Sequence, residues 1–395
     1  MIAVICVVAW AVATATTVLG TWIAVRSFSR RNEPNLALPP VSVLKPLKGM
    51  EPGLRKNLES FFLQDYPDFE LLFCVADVED SACAIVRRLM ARYPKVRARL
   101  IVSSEEVGPN PKVNNLYGAY YRAISDHIVI SDSNVRVGLG YLREMVAALG
   151  PKTGVVTSLV TATGVQGFGG YLEAAYLNAV LARLMPIGHL VGLPLVLGKS
   201  MLLRRSIAEQ FGGLDFLGRY LAEDYMTGFA MKHLGLQVAL TPTPVEQYIG
   251  TRTFKTFWAR HVRWGRLRKA HAFMGYLIEP ILGVVFPGML GAWGLHTLLG
   301  VHFLTVFTFH FVLWGCCDLV LFAEAPTKGT AANTFGFAGA WFVREWLAIP
   351  LWLHTLFGKT VEWRGRRLQL MAGGELRGVG HRSRRVRSGV PQEKH

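Results

Sequence analysis

Four short clusters place acids and cations where they can handle a phosphorylated substrate. Asp77 follows the apolar run Leu72-Phe73-Cys74-Val75-Ala76, and Asp132 follows Ile128-Val129-Ile130-Ser131. A third acidic site stands in Ala222-Glu223-Asp224-Tyr225, and Arg260-His261-Val262-Arg263-Trp264 carries two guanidinium groups three residues apart. In Ser131-Asp132-Ser133-Asn134 an acid and an amide two apart can offer oxygen ligands to a hard divalent cation, which also bridges phosphates. Arg260 and Arg263 share a helical face, and paired guanidinium groups suit a diphosphate. Each cluster also has a plainer use. Asp77 can start a turn or cap a helix, and Glu223 or Asp224 is favourable in a helical first turn. Adjacent helical residues do not share a face, so only one of Glu223 and Asp224 is expected to look into a crevice. With Trp258, Arg266, Arg268 and Lys269, the arginine segment also reads as a basic interfacial helix.

The elements that must position these groups alternate. Apolar, β-branched runs at 41–47, 71–76, 100–103 and 128–131 are interleaved with helical patterns at 54–64, 81–93 and 113–123. This βαβα order predicts an α/β domain with a mostly parallel sheet, helices on both faces and a ligand site beyond the carboxyl ends of the strands. Asp77 and Asp132 both fall at such ends. Residues 33–270 have the mixed composition of a water-soluble domain with one substantial core.

The flanks are different. The chain is 51% hydrophobic and only 18% charged over 395 residues, a balance that places part of it in lipid. Residues 2–25 carry no charge and are closed by Arg26, Arg30 and Arg31. The run is long enough to span a bilayer and too long, without a basic leader, for a cleaved signal peptide; residues 1–26 therefore read as an anchor. Residues 280–317 contain no Asp, Glu, Lys or Arg, which predicts a transmembrane hairpin over 276–322 turning within 294–300. Residues 335–357 are interrupted by Arg344 and Glu345, costly in mid-membrane, and read as an interfacial or re-entrant segment. Residues 359–395 read as a basic tail. Arginines after the first helix place the 33–270 domain at the cytoplasmic face of an inner membrane by the positive-inside rule, and the hairpin returns the tail to that side. The net charge of +16 sits beside apolar segments, where it attracts anionic lipid headgroups, so a membrane partner and no nucleic acid are expected. Five cysteines lack a C-x-x-C spacing and read as reduced, buried thiols.

Together, the opening strand Val41-Ser42-Val43-Leu44-Lys45-Pro46-Leu47-Lys48-Gly49, the segment from Gly108-Pro109-Asn110-Pro111-Lys112 to Leu116, the separated Asp77, Asp132 and Asp224, and the Arg-x-x-Arg-Trp motif at 260–264 resemble the ceramide glucosyltransferases, glycosyltransferase family 21, of bacterial type. The resemblance covers residues 1–280 and rests on the order of the motifs. It implies a nucleotide-sugar (GT-A) fold and inverting transfer of glucose from UDP-glucose to the primary hydroxyl of ceramide. By the same resemblance Asp77 contacts the uridine, Asp132 holds a divalent metal, Mn or Mg, against the diphosphate, and Asp224 is the base. Asn110 and Lys112 help hold the nucleotide, while Arg260, Arg263 and Trp264 serve the departing diphosphate. Asn134 stands where many glycosyltransferases have a second Asp, and position 260 is Arg rather than Gln. Transfer of N-acetylglucosamine from its UDP donor to a hopanoid polyol is the nearest alternative. A processive polysaccharide synthase shares the motifs but needs a larger helix bundle. Trp363-Arg364-Gly365-Arg366 reads either as a basic clamp returning to the donor or as a juxtamembrane cluster.

Overall fold

The computed structural model describes residues 1–29, 37–324, 334–363 and 366–378. Arg30, Arg31, Arg364 and the arginines beyond residue 378 lie outside the described residues.

The expected alternation builds half of an eight-stranded sheet. Strands β1 (Val41–Pro46), β2 (Phe69–Val75), β3 (Arg97–Val102) and β4 (His127–Ser131) pair in parallel in the order β3-β2-β1-β4. Strands β5 (Val135–Arg136), β6 (Thr153–Gln166), β7 (Ser200–Arg204) and β8 (Gln237–Thr251) complete it in the order β7-β6-β8-β5. β7 runs antiparallel to both β4 and β6, and β8 is parallel to β6. Side chains alternate across the sheet: Val43, Leu71 and Phe73 enter the core on one face, and Leu44, Leu72 and Cys74 enter the core on the other. The first face is covered by the helix Leu54–Phe62, which buries Leu54, Leu58, Phe61 and Phe62 at helical spacing. The second is covered by Pro111–Arg122 through Val113, Leu116, Ala119 and Tyr120. A sheet covered on both sides leaves its strand ends as the place where polar groups can gather.

Among the described residues two helices, Ile2–Phe28 and Phe303–Glu324, are long and apolar enough to cross a membrane; the pair Phe273–Leu282 and Val285–Leu299, bent by 63°, meets the same test only together. The hairpin turn lies at Gly300, whose φ of 67° is the left-handed region that glycine enters without strain. Gly294 belongs instead to the helix: a Cβ there would lie 2.7 Å from Val7, so its small size admits the first helix at close range. Residues 335–357 form one helix, Thr334–Leu356. Its charges are satisfied internally: Arg344 pairs with Glu345, and Glu345 accepts the Val284 N–H at 3.3 Å. Beside them Arg183, from the helix Ala182–Leu190, pairs with Asp318 of Phe303–Glu324, which also accepts the Trp341 indole N–H at 2.7 Å.

The expected basic tail is folded over its first part. β9 (Thr360–Trp363), β10 (Arg366–Leu370) and β11 (Leu376–Gly378) form a small antiparallel sheet. Alternate apolar residues Val361, Leu368, Leu370 and Leu376 are buried against Leu221 and Leu267, and the Leu376 N–H donates to the Arg219 carbonyl at 2.8 Å. That periodicity, hidden among arginines, is the physical reason this stretch docks rather than trailing into solvent.

Candidate active site

Asp132 leaves the end of β4, and its surroundings follow from the strand pairings. β7 pairs with β4 so that Ser131 faces Ser200; this sets Lys199 beside Asp132. The Lys199 ammonium donates to Asp132 Oδ2 at 2.8 Å and to Asn134 Oδ1 at 2.9 Å. From the other side Lys112 meets Asp132 Oδ1 at 2.8 Å, Glu223 Oε1 at 2.8 Å and the Gly198 carbonyl at 2.9 Å. Lys45, fully buried in β1, reaches the Asp132 carbonyl at 2.6 Å. Burial by itself would raise the Asp132 pKa, but Lys112 and Lys199 overcome it and hold the carboxyl well below its usual range. Burial pushes Lys45 down and Glu223 up.

The helix Glu223–His233 carries the adjacent acids in its first turn. Glu223 is buried and tied to Lys112 and Asn110. Asp224 is half-buried, with Oδ2 accepting the Gly198 N–H and Oδ1 accepting the Tyr225 N–H, both at 2.8 Å. A Cβ on Gly198 would lie 2.9 Å from Asp224 Oδ2, so the glycine permits this approach. Both acids line the crevice, against the expectation of only one; Glu223 does so through its pair with Lys112, which turns it inward. Asp77 is exposed at the end of β2 and combines its two expected uses: Oδ1 accepts the Glu79 N–H at 3.0 Å in a local turn, and the residue lines the same crevice.

Arg260, Arg263 and Trp264 project into it from the helix Phe254–His271. The Arg260 guanidinium lies 4.5 Å from the Trp264 ring centroid and 3.3 Å from Glu173, a fully buried carboxylate that also meets Arg252 at 3.1 Å. Two arginines on one buried acid leave a positive surplus facing the cavity. His261, packed between Tyr176 and Phe257, is held well below the ordinary histidine value, first by burial and then by nearby arginines.

Two expected roles change because the protein itself takes the contacts. Asn110 is fully buried and caps the helix Pro111–Arg122, accepting the N–H groups of Lys112 and Val113 and donating to the Tyr220 carbonyl and Glu223. An amide makes about four hydrogen bonds, so none remains for a nucleotide; Asn110 positions Lys112 and Glu223. Asp132, expected as the metal ligand, has an ammonium group on each carboxylate oxygen, and Asn134 Oδ1 has a third such contact. A hard dication takes oxygen ligands, and the Asp132 and Asn134 oxygens it would use are already held by lysine ammonium groups; among the described residues no three His, Cys, Asp or Glu side chains cluster to supply others. The donor set fits lysine ammonium groups, not a divalent cation. Lys45, Lys199, Glu173 and Arg252 went unread in the sequence. Lys45 was detectable as a charge inside an apolar strand, whereas Lys199 enters only through the pairing of β4 with β7.

Apart from the fully buried Lys45, Asn110 and Glu173, these groups line one continuous cavity of about 1460 Å³. Its polar end holds Asp77, Lys112, Asp132 and Asp224; its other end is walled by Met185, Phe286, Leu347, Leu351 and Trp352, from helices that flank or enter the membrane-type segments.

Fold and crevice define the class: the chain is a membrane glycosyltransferase of the GT-A type. A mannosyltransferase from Pyrobaculum calidifontis, solved in complex with GDP-Man and Mn2+, shares the fold with a TM-score of 0.50 at 17% identity, over 90% of this chain and 99% of that one. Within the class, residues 2–376 match the model of glycosyl transferase family 21, and the chain belongs to that family. The match continues past residue 280 into the small C-terminal sheet, as far as the first residue of β11. Ceramide glucosyltransferase 1 of Caenorhabditis elegans is 32% identical over 87% of this chain and 74% of its own length. Ceramide glucosyltransferase of Komagataella phaffii is 27% identical over 93% and 89%.

Proposed function

We propose that this protein transfers glucose from UDP-glucose to the primary hydroxyl of ceramide, with inversion, at the cytoplasmic face of an inner membrane. The observation that carries the reading is the single cavity joining a cationic, acid-lined crevice to an apolar wall at the membrane helices. A lipid can lie along that wall and offer its polar end to a water-soluble donor. The relatives named ceramide glucosyltransferase support ceramide as the lipid and glucose as the sugar.

Asp77 lies at the strand end suited to the uridine. Asp224, anchored by two backbone N–H groups, takes the acceptor proton as the hydroxyl oxygen bonds to the anomeric carbon. The bond from that carbon to the diphosphate breaks on the opposite side, and its electron pair leaves with UDP. Arg260, Arg263 and Lys199 stabilise the charge that develops there. Trp264 fixes the plane of Arg260. The helix Thr334–Leu356 lies along the interface and closes the lipid end. The test is transfer by the purified chain in detergent, with UDP-glucose and ceramide set against UDP-N-acetylglucosamine and a hopanoid polyol. Glucosylceramide supports the reading; an aminosugar on the polyol, with no glucosylceramide, replaces it.

A further inference from the structure

We propose that Lys199 stands where a divalent cation would serve the donor diphosphate, and that transfer proceeds with metal chelated. The inference rests on the nucleotide-sugar reading above.

The Asp132-Ser133-Asn134 turn at the end of β4 offers four side-chain oxygens: both of Asp132 and that of Asn134 face lysine ammonium groups, and the Ser133 hydroxyl donates to Glu51 at 2.5 Å. Lys112 and Lys199 have different work. An ammonium group has three N–H donors. Those of Lys112 go to Asp132, Glu223 and the Gly198 carbonyl, so Lys112 is a strut. Those of Lys199 account for two, to Asp132 and Asn134, which leaves one for the crevice that Lys199 lines. Lys199 is thus held by the acid and amide that would otherwise hold a metal, and it presents a fixed charge at the same place. A dication there would have to displace both ammonium groups from Asp132. Lys199 carries half the charge of a dication, and Arg260 and Arg263 on the same cavity supply the rest. Bonds and charges balance without a further reactant: the acceptor oxygen–carbon bond forms, the carbon–diphosphate oxygen bond breaks with its pair on UDP, and the proton goes to Asp224. Lys199 takes no part in the proton transfer.

The experiment uses the full chain in detergent, as wild type, Lys199→Met and Lys199→Arg. It measures glucosyl transfer and calorimetric UDP binding, each in EDTA and in Mn2+. Wild type is expected to turn over equally in both, and Lys199→Arg, whatever rate its larger guanidinium leaves it, to show the same rate in EDTA as in Mn2+. In EDTA Lys199→Met is expected to fall by about 10²–10³-fold, the usual loss for a donor aimed at developing charge. Mn2+ should then restore part of its activity through the oxygens of Asp132 and Asn134 that the substitution frees, a gain that a merely structural role would not produce. Wild-type transfer lost in EDTA and regained with Mn2+ overturns the inference and leaves the glycosyltransferase reading intact. Unchanged Lys199→Met activity in EDTA also overturns it. If UDP-glucose proves not to be the donor, UDP binding decides: binding in EDTA that weakens in Lys199→Met upholds the inference, and binding that needs Mn2+, ignores the substitution or is absent ends it.

Discussion

Asp224→Asn, with Glu223→Gln as its neighbour control, separates the proton acceptor from the scaffold. Asp224 accepts two backbone N–H groups at 2.8 Å, and asparagine can accept only on its single carbonyl oxygen. One contact is lost at a half-buried site, a cost of about 1–2 kcal/mol. The chemical consequence is larger. Removing a general base lowers turnover by about 10²–10⁴-fold, or about 2.7–5.4 kcal/mol of barrier. Asp224 reaches the groups around Asp132 through the Gly198 backbone, whose carbonyl accepts from Lys112; the asparagine oxygen can keep the Gly198 N–H contact, so donor affinity should stay close to its wild-type value. Glu223→Gln should behave in the opposite sense. It removes the carboxylate that Lys112 meets at 2.8 Å in a buried setting, costs about 1–3 kcal/mol of stability and weakens UDP binding by loosening Lys112. Single-turnover transfer of radiolabelled glucose, UDP calorimetry and thermal unfolding in detergent report the three quantities. Asp224→Asn turnover within tenfold of wild type would refute the assignment, as would Glu223→Gln abolishing chemistry with unchanged melting and donor affinity.

Other substitutions test the frame that holds the site. Arg183→Leu should destabilise the protein by about 3–5 kcal/mol, since it leaves the fully buried Asp318 uncompensated, and the Arg183→Leu/Asp318→Leu double variant should recover most of that in thermal unfolding; a double variant no better than the single would deny the pairing. Burial lowers the His271 pKa to about 4, below the unfolded value of about 6.5. Its stabilising effect is therefore complete above pH 6.5 and lost as pH falls toward 4, where the unfolded chain binds the extra proton; His271→Phe should flatten the melting temperature over that window, and an unaltered slope would contradict the assignment. Gly374 has a φ of +81° and a Cβ there would meet the His271 ring at 2.0 Å, so Gly374→Val should undock the small C-terminal sheet and expose Trp363 to fluorescence quenchers, with unchanged quenching as the opposing result.

The first half of the domain was legible because its signals are local. Strands of period two alternate with amphipathic helices, and β1, β2 and β4 fall within a residue or two of the expected spans. Asp77, Asp132 and Asp224 were legible as candidates because they follow such elements. What escaped reading depends on long-range pairing. β6 and β8, 14 and 15 residues long, mix threonine with apolar residues and are specified by each other. Lys199 acquires meaning only when β7 settles antiparallel to β4. Asn110 and Asp132 have the chemical type of nucleotide and metal ligands, but their oxygens are already taken by neighbours that spacing does not bring together. The sheet over residues 360–378 was masked by arginine-rich composition, although Val361, Leu368 and Leu370 carried the alternation.

The proposed activity requires that one cavity join a sugar donor to a lipid acceptor. The direct measurement is transfer from radiolabelled UDP-glucose to ceramide by the full chain in detergent, with the product's anomeric configuration read by NMR. A single β-linked glucose on the ceramide primary hydroxyl is the predicted result. A polymeric or water-soluble product, or an α-linked sugar, would contradict it.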